Sequence, residues 1–301
     1  MLLQIEHSLH YRYSEPVYLE PYIARLAPRN DAGQVAKSFE LQVEPQPQHL
    51  SLNVDLDGTL SHCLHFRGVH DRLSLTTRAV VETLRGNPFD FLLHDAAFGR
   101  LPPAYPARLR AALQNYLLRA MGDGKTDDEI AALSREVALD HRDSTFDFLT
   151  GLTRVIHRTC QTEYRASGAP RSAAETLALA SGTCRDLAVL WMDACRAVGL
   201  AARFVSGYML DVSDDEKRKD AKRRRKRTTE NATQYLHAWA EVYLPGGGWR
   251  GFDPSTGLAV ADRHVALAAS ADPALAAPGQ GAFLGTATSE LKTAVAVMRI
   301  A

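Results

Sequence analysis

Apolar and polar residues alternate along the first third of the chain, which is the period of a β-strand. The alternation predicts five strands, at residues 3–13, 38–43, 51–56, 60–67 and 73–83. Asp57-Gly58 is a hairpin signal between two of them. We therefore predict a small antiparallel β-sandwich over residues 1–87, and Asn87-Pro88 marks its boundary.

The apolar period becomes helical after Pro102. One stripe contains Leu109, Leu113, Tyr116 and Leu117, and a second contains Ile130, Leu133, Val137 and Leu139. Residues 126–129, Thr-Asp-Asp-Glu, suit the start of the second helix because they supply a cap and acidic first-turn charge. A third helix is expected near residues 145–164. Residues 88–144 are therefore predicted to be a helical connecting region.

A thiol stands at the start of the next predicted helix. Cys184 lies in Ser-Gly-Thr-Cys-Arg-Asp at residues 181–186, directly before an apolar-periodic run that starts at Leu187. Free backbone N–H groups and the helix dipole stabilise a thiolate at this position, and Arg185 can add positive charge. A lone cysteine is more often a small core residue, so the position alone does not establish a nucleophile.

A histidine and an aspartate lie on a predicted hairpin downstream. His237 opens the alternating segment 237–244, and a second short strand ends at Asp253. Residues 245–248, Pro-Gly-Gly-Gly, have the composition of a turn between them. The outer ends of an antiparallel pair lie side by side, so Asp253 can fix the tautomer of His237 while the other ring nitrogen faces a thiol.

These motifs resemble those of the transglutaminase-like branch of the papain-like cysteine enzymes. Residues 181–187 are similar to the nucleophile motif of that family, residues 202–208 to the strand that follows, 237–243 to the histidine motif and 249–254 to the aspartate motif. The resemblance implies that Cys184 is the nucleophile and His237 the general base and acid. It implies that Asp253 orients the histidine.

The resemblance extends to the N-terminus, because residues 1–83 resemble the β-rich domain that precedes this core in many bacterial members. The predicted fold class is α+β, with a β-sandwich-like N-terminal domain at 1–87 and a connecting region at 88–144. Residues 145–301 would form a papain-like, transglutaminase-like catalytic domain. Its nucleophile would lie at a helix N-terminus packed on an antiparallel sheet, and residues 294–300 look like a closing strand.

The three residues predict acyl transfer through a thioester on an amide or peptide. If water accepts the acyl group the protein is a cysteine peptidase or amidase, and if an amine accepts it the protein is a protein-glutamine transglutaminase. We favour hydrolysis, because bacterial members of the family often look like hydrolases. A non-catalytic peptide-binding scaffold is a third hypothesis, although a binding module has no need of all three residues.

Three further residues are candidates for parts of this site. The oxyanion hole would use the backbone N–H of Cys184 and a second donor, for which Tyr164 is the candidate; a buried packing tyrosine explains it equally well. Trp239 and Trp249 flank the catalytic positions and are candidates for the wall of a substrate channel. Aromatic residues in strands are, however, more often core residues.

One cluster in the N-terminal domain has the ligand types of a zinc site, namely His62, Cys63 and His65 with His70 nearby. Alternation along a strand places Cys63 and His65 on one face and His62 on the other. Structural zinc usually takes four ligands, and the chain has no second paired-ligand motif. We therefore predict no metal and no cofactor.

Composition narrows the class of protein further. Lys plus Arg and Asp plus Glu both number 35 among 301 residues, so net charge favours neither nucleic acid nor a membrane surface as a partner. No signal peptide or membrane-spanning run is recognisable. The four cysteines lack the spacing of a disulfide framework and fit a reducing compartment. We expect a cytoplasmic enzyme that acts on a peptide or protein.

Residues 211–227 concentrate charge, with an acidic start at 214–216 and basic blocks at 217–219 and 222–227. Such a run is usually a solvated loop. No aromatic residue interleaves with the basic ones, which argues against nucleic-acid binding. The segment joins the strand at Gly207 to the histidine strand, so we expect it beside the site, where it would attract an acidic substrate.

Overall fold

The computed structural model describes residues 1–119, 125–165, 167–210 and 236–300. It has the predicted α+β architecture, with antiparallel N-terminal sheets followed by helices packed on a second antiparallel system. The helices are α1 (Ala107–Ala112), α2 (Gln114–Leu117), α3 (Lys125–Asp140), α4 (Thr145–Thr159), α5 (Ala173–Leu179) and α6 (Cys184–Ala197). The strands are β1 (Leu2–Leu19), β2 (Tyr22–Ala24), β3 (Gln34–Glu44), β4 (His49–Val54), β5 (Leu60–His65), β6 (Val69–Thr83), β7 (Gln161–Thr162), β8 (Ser181–Gly182), β9 (Ala202–Met209), β10 (His237–Leu244), β11 (Gly248–Asp253), β12 (Leu258–Ala259), β13 (His264–Ser270), β14 (Gly279–Gln280), β15 (Phe283–Leu284) and β16 (Ser289–Arg299).

Two sheets form the sandwich. The long sheet has the order β15-β1-β6-β3 with β16 also paired to β1, and the short sheet has the order β14-β2-β5-β4. Alternate residues of β1, including Leu3, Ile5 and Leu9, are buried, as the period-two pattern requires. Leu9 packs in one cluster with Leu64 of the short sheet, so the inner faces of the two sheets share a core.

The last strands of the chain lie in the sheets formed by the first ones. Strand β16 is antiparallel to β1, from Leu3 opposite Arg299 to Tyr13 opposite Ser289. Strand β15 pairs with the end of β1, and β14 pairs with β2. A strand was expected at residues 294–300, but its place beside β1 is set by long-range pairing.

The division of the chain into three regions, with boundaries after residues 87 and 144, stays a prediction.

A five-stranded core sheet, in the order β12-β11-β10-β9-β13, carries helix α6 on one face. Even-numbered residues of β10, such as Ala240 and Val242, pack against Leu190 and Trp191 of the helix. The N-terminal long sheet covers the opposite side, where Ile5 and Val297 share a cluster with β9 and β13. The core sheet is therefore buried on both faces, and β9 is accordingly buried almost throughout.

The predicted helices are present with two differences. The first is divided into α1 and α2 at Leu113, and the third ends at Thr159 rather than near residue 164. It ends there because Gln161 and Thr162 leave the helix and pair in parallel with Ser181 and Gly182. Within the described ranges, no helix is both long and apolar enough to cross a membrane.

Candidate active site

The start of α6 is shaped by a buried carboxylate. Cys184 is the first residue of the helix, and Thr183 caps it. Asp186 is fully buried, and its Oδ2 accepts hydrogen bonds from the Thr183 backbone N–H at 2.8 Å and from the Thr183 hydroxyl at 3.0 Å. A Cβ at Gly182 would lie 2.7 Å from the Asp186 Cβ, so this close approach requires glycine.

Asp186 also ties a neighbouring loop to the helix. Arg165 donates to Oδ2 at 3.1 Å and to Oδ1 at 2.9 Å, and the backbone N–H of Arg171 donates to Oδ1 at 2.7 Å. Burial by itself raises the pKa of Asp186, but the hydrogen bonds from Arg165 and the backbone outweigh burial and lower this pKa. Asp186 therefore has a structural role, because it fixes the position of Cys184.

His237 and Asp253 meet at one end of the core sheet. His237 is the first residue of β10 and Asp253 the last of β11, and the two strands are antiparallel. The His237 Nε2 lies 2.7 Å from Oδ2 of Asp253, which is fully buried. The other oxygen, Oδ1, accepts from the backbone N–H of Ser255 at 3.0 Å and from its hydroxyl at 2.7 Å.

The thiol of Cys184 interacts with the His237 ring, and the two groups shift each other's pKa. Because Asp253 occupies Nε2, the nitrogen that remains for the thiol is Nδ1. The backbone N–H of Ala238 also lowers the pKa of this thiol. The structure thus brings Cys184, His237 and Asp253 together in the expected order, with the imidazole between thiol and carboxylate.

The charges of these groups support one another. Burial raises the pKa of the Cys184 thiol, but the hydrogen bond and charge of His237 outweigh burial and lower it from 9.0. Burial lowers the pKa of His237, but the charge and hydrogen bond of Asp253, followed by those of Cys184, raise it to about 10. Burial likewise raises the pKa of Asp253, and the His237 charge brings it well below 3.8. Near neutral pH the arrangement therefore favours thiolate, imidazolium and carboxylate.

Such a site can attack a carbonyl carbon and then protonate a leaving amine. The backbone N–H of Cys184 is at the first position of a helix, where no intrahelical acceptor exists. That N–H is available to stabilise negative charge on a carbonyl oxygen beside the sulfur. The geometry is therefore compatible with acyl transfer.

A second histidine at this carboxylate was missed by sequence reasoning. His264, the first residue of β13, places its Nε2 3.2 Å from Oδ2 of Asp253. The only local signal was a histidine at the start of an alanine-rich strand. Its contact with Asp253 depends on the pairing of β13 with β9, which the local pattern does not specify.

The same side chains have the donor types of a metal site. His237, Asp253 and His264 offer two imidazole nitrogens and a carboxylate oxygen within 4.8 Å of one another, a set that zinc accepts. Oδ2 of Asp253 lies at hydrogen-bond distance from both nitrogens, 2.7 and 3.2 Å. Hydrogen bonds therefore account for this clustering.

Two of the other candidates lie near the three residues. Tyr164 is 63% exposed, and the guanidinium of Arg185 interacts electrostatically with both Tyr164 and Cys184. Trp239 is 1% exposed, and the centroid of its ring is 6.2 Å from that of His237. The oxyanion role of Tyr164 and the channel role of Trp239 stay predictions.

Trp249 lies in a different environment, although it precedes Asp253 on the same strand. The Arg203 guanidinium is 4.2 Å from its ring centroid, and the rings of Tyr116 and Tyr243 are 5.0 and 5.4 Å away. Its role in a substrate channel stays a prediction.

The charged segment 211–227 lies outside the described residues. Its position beside the site and its attraction for an acidic substrate therefore stay predictions.

The histidines and cysteine of the N-terminal cluster follow the alternation of β5. Cys63 Sγ lies 3.5 Å from the Nε2 of His65 on one face. His62 is buried on the other face against Phe39, with 5.5 Å between ring centroids. The division expected from the strand period is therefore present.

Two family profiles match the chain. That of the bacterial transglutaminase-like N-terminal region matches residues 3–82, and that of the transglutaminase-like superfamily matches residues 132–254. The second match contains Cys184, His237 and Asp253. Together the two matches contain nearly all of strands β1 to β6 and the core from within α3 to the end of β11.

Relatives of similar length are found in mycobacteria. An uncharacterized protein of Mycobacterium leprae is 22% identical over 313 residues, which cover 99% of each chain. An uncharacterized protein of Mycobacterium tuberculosis is 26% identical over 282 residues, or 92% of this chain and 86% of that relative.

Among solved structures, a candidate cysteine protease from Cytophaga hutchinsonii superposes with a TM-score of 0.72. It is 19% identical, and the match covers 100% of this chain and 92% of that one. At this level of identity the similarity is one of fold, and it extends over both the N-terminal sheets and the core.

Proposed function

This chain belongs to the transglutaminase-like superfamily, a family of cysteine-dependent enzymes, and we propose that it catalyses thiol-dependent acyl transfer on an amide or peptide, chiefly hydrolysis. Cys184 is the nucleophile, and His237 is the general acid and base. Asp253 orients His237 and stabilises its positive charge.

The observation that carries this proposal is the position of the His237 ring. Its Nε2 lies 2.7 Å from the buried carboxylate of Asp253, and the ring also interacts with the Cys184 thiol, whose pKa it lowers. One imidazole therefore contacts both a proton acceptor and a nucleophile through different nitrogens. This is the geometry that a thiol enzyme requires.

The proposed reaction has two stages. The Cys184 thiolate attacks the amide carbonyl carbon, the C–N bond breaks, and His237 gives its proton to the departing amine. Neutral His237 then takes a proton from water, whose oxygen attacks the thioester carbonyl and displaces the sulfur. The acid leaves, and the thiolate and imidazolium are restored.

The preference for water over an amine as the acceptor rests on the resemblance to bacterial members of the family, which often look like hydrolases. A transglutaminase has to shield its thioester from water. Trp239 packs against Val205 and Ala269 within the core sheet, and Trp249 contacts Tyr116 and Tyr243. Both indoles are thus held by neighbouring side chains, and their role in a substrate channel stays a prediction.

Product analysis tests the reaction type. The protein is incubated with glutamine-containing peptides and a labelled primary amine, and ammonia release, peptide-bond cleavage and amine incorporation are measured together. We expect hydrolysis to exceed amine incorporation and Cys184→Ala to abolish both. Amine incorporation above hydrolysis would identify a transglutaminase instead. Binding of the peptides without turnover would favour the non-catalytic scaffold.

We also propose a cytoplasmic protein that acts on peptides or proteins with acidic groups near the attacked amide. The basic block at residues 217–227 supports the acidic substrate, and four cysteines without the spacing of a disulfide framework support the reducing compartment. Neutralising residues 222–227 should reduce both the rate on acidic peptides and its dependence on salt. An unchanged rate and salt dependence would contradict the role of this block.

A further inference from the structure

The carboxylate of Asp253 has two imidazole donors on one oxygen. Oδ2 accepts from Nε2 of His237 at 2.7 Å and from Nε2 of His264 at 3.2 Å. An ionised carboxylate only accepts, so each ring has to carry its proton on Nε2 for these bonds. The centroids of the two rings are 5.8 Å apart. His264 thus reaches the same oxygen as His237 from a different strand.

The surroundings of His264 hold it in one orientation. Its side chain is 8% exposed, and its ring is edge-on to Trp239, with centroids 5.1 Å apart and planes at 75°. Nδ1 of His264 is buried and has no hydrogen-bond partner among the described residues. The residue borders a cavity of about 440 Å³ between the core sheet and the N-terminal region. Among the described residues, the hydrogen-bond partner of this ring is therefore Asp253 alone.

His264 is a neutral donor near neutral pH. Burial lowers its pKa, Asp253 acts in the opposite direction, and the charges of His237 and Arg263 lower this pKa further. A protonated His264 would compete with His237 for the charge of Asp253. A neutral ring instead fixes Oδ2 and leaves the full carboxylate charge to stabilise the His237 imidazolium.

We propose that His264 is a positioning residue that holds Oδ2 of Asp253 and, through it, directs the imidazole of His237 toward the Cys184 thiol. The inference rests on the proposed function, because it requires that Cys184 be activated by His237. It adds a fourth side chain to the site, on a strand that follows the three motif residues.

Alkylation of Cys184 by iodoacetamide, measured against pH by mass spectrometry, gives a test that needs no substrate. In His264→Leu the donor is lost, so we expect the pH midpoint of alkylation to rise by about one unit. His264→Asn should behave in the same way, because its shorter amide does not reach Oδ2. In His264→Gln the amide nitrogen occupies the place of Nε2, and the midpoint should stay near the native value.

His7 provides a matched control. It is also a buried histidine, 2% exposed, and its ring bonds to Tyr208 at 3.0 Å and Thr293 at 3.2 Å rather than to Asp253. His7→Gln should leave the midpoint of Cys184 alkylation unchanged. A native midpoint in folded His264→Leu or His264→Asn, or an equal shift in His264→Gln, would overturn the positioning role.

The outcome for the native protein separates the two proposals. Slow alkylation of native Cys184, at the rate of the urea-unfolded chain, would refute the proposed nucleophile itself. Fast alkylation of native Cys184 with no effect of His264→Leu would refute only the role of His264.

Discussion

Two cysteines on helix α6 have opposite properties at the scale of single residues. Cys184 begins the helix and bonds to His237, whereas Cys195 is fully buried near its other end. Burial raises the pKa of Cys195 well above 9.0, and the charge of Arg196 only partly opposes this. The pKa of Cys184 is lowered because a charged imidazole is in contact with it. Position and neighbours therefore decide which thiol is reactive.

We expect iodoacetamide to alkylate Cys184 at pH 7 at least about tenfold faster than Cys195 or Cys160. The reason is that the thiolate reacts, and burial raises the pKa of both other thiols. Peptide mass spectrometry after timed exposure measures each rate. His237→Ala should move the reaction of Cys184 to higher pH, because this side chain lowers the thiol pKa. Equal slow rates at all three cysteines would contradict the expectation.

At the scale of elements, the site is the meeting of one helix start with two strand ends. Local patterns predicted these elements. As expected, α6 starts at Cys184, and β10 and β11 have their functional residues at adjoining ends. His264 escaped prediction because alternation within β13 does not reveal its neighbour β9. The early end of α4 was not predicted for a similar reason, since β7 forms only through pairing with β8. What the local sequence lacks is the order of strands.

Asp186 is expected to stabilise the helix start strongly. Asp186→Asn removes the charge that Arg165 contacts at 2.9 Å in a fully buried position, so unfolding free energy should fall by about 3 kcal/mol. Urea unfolding followed by circular dichroism measures the change.

The control is a more exposed ion pair in the same loop region. Glu163 lies 3.3 Å from Arg171, and these side chains are 38% and 30% exposed. Water screens this pair, so Glu163→Gln should change stability little. An equally small effect of Asp186→Asn would show that the buried pair does not hold the helix start.

At the scale of the whole molecule, the long sheet and the core sheet are joined through polar as well as apolar contacts. His7 of β1 lies 3.0 Å from the Tyr208 hydroxyl on β9, inside the cluster that contains Ile5 and Val265. Burial lowers the pKa of His7 to about 4. The fold therefore accepts a neutral ring at this junction and disfavours a charged one.

This junction predicts an acid-sensitive fold. The unfolded chain binds a proton at His7 near pH 6.5 and the folded chain near pH 4, so the stabilising contribution is complete above 6.5 and is lost as pH falls to 4. The free energy of unfolding falls by about 3 kcal/mol when His7 is protonated in this way. His7→Gln keeps hydrogen-bonding groups but does not titrate, so its unfolding free energy should fall less between pH 7 and pH 4. Parallel curves for the two proteins, obtained by urea unfolding, would contradict this contribution.

The pairing of β16 with β1 has a consequence for synthesis on the ribosome. β1 emerges first, but its partner over residues 289–299 emerges only after the whole transglutaminase-like core. Until then one edge of β1 carries unpaired N–H and C=O groups, which other strands can recruit. Contacts so distant in sequence also close slowly. The nascent chain thus has a period of vulnerability to aggregation, and chaperones that shield open strand edges would act during that period.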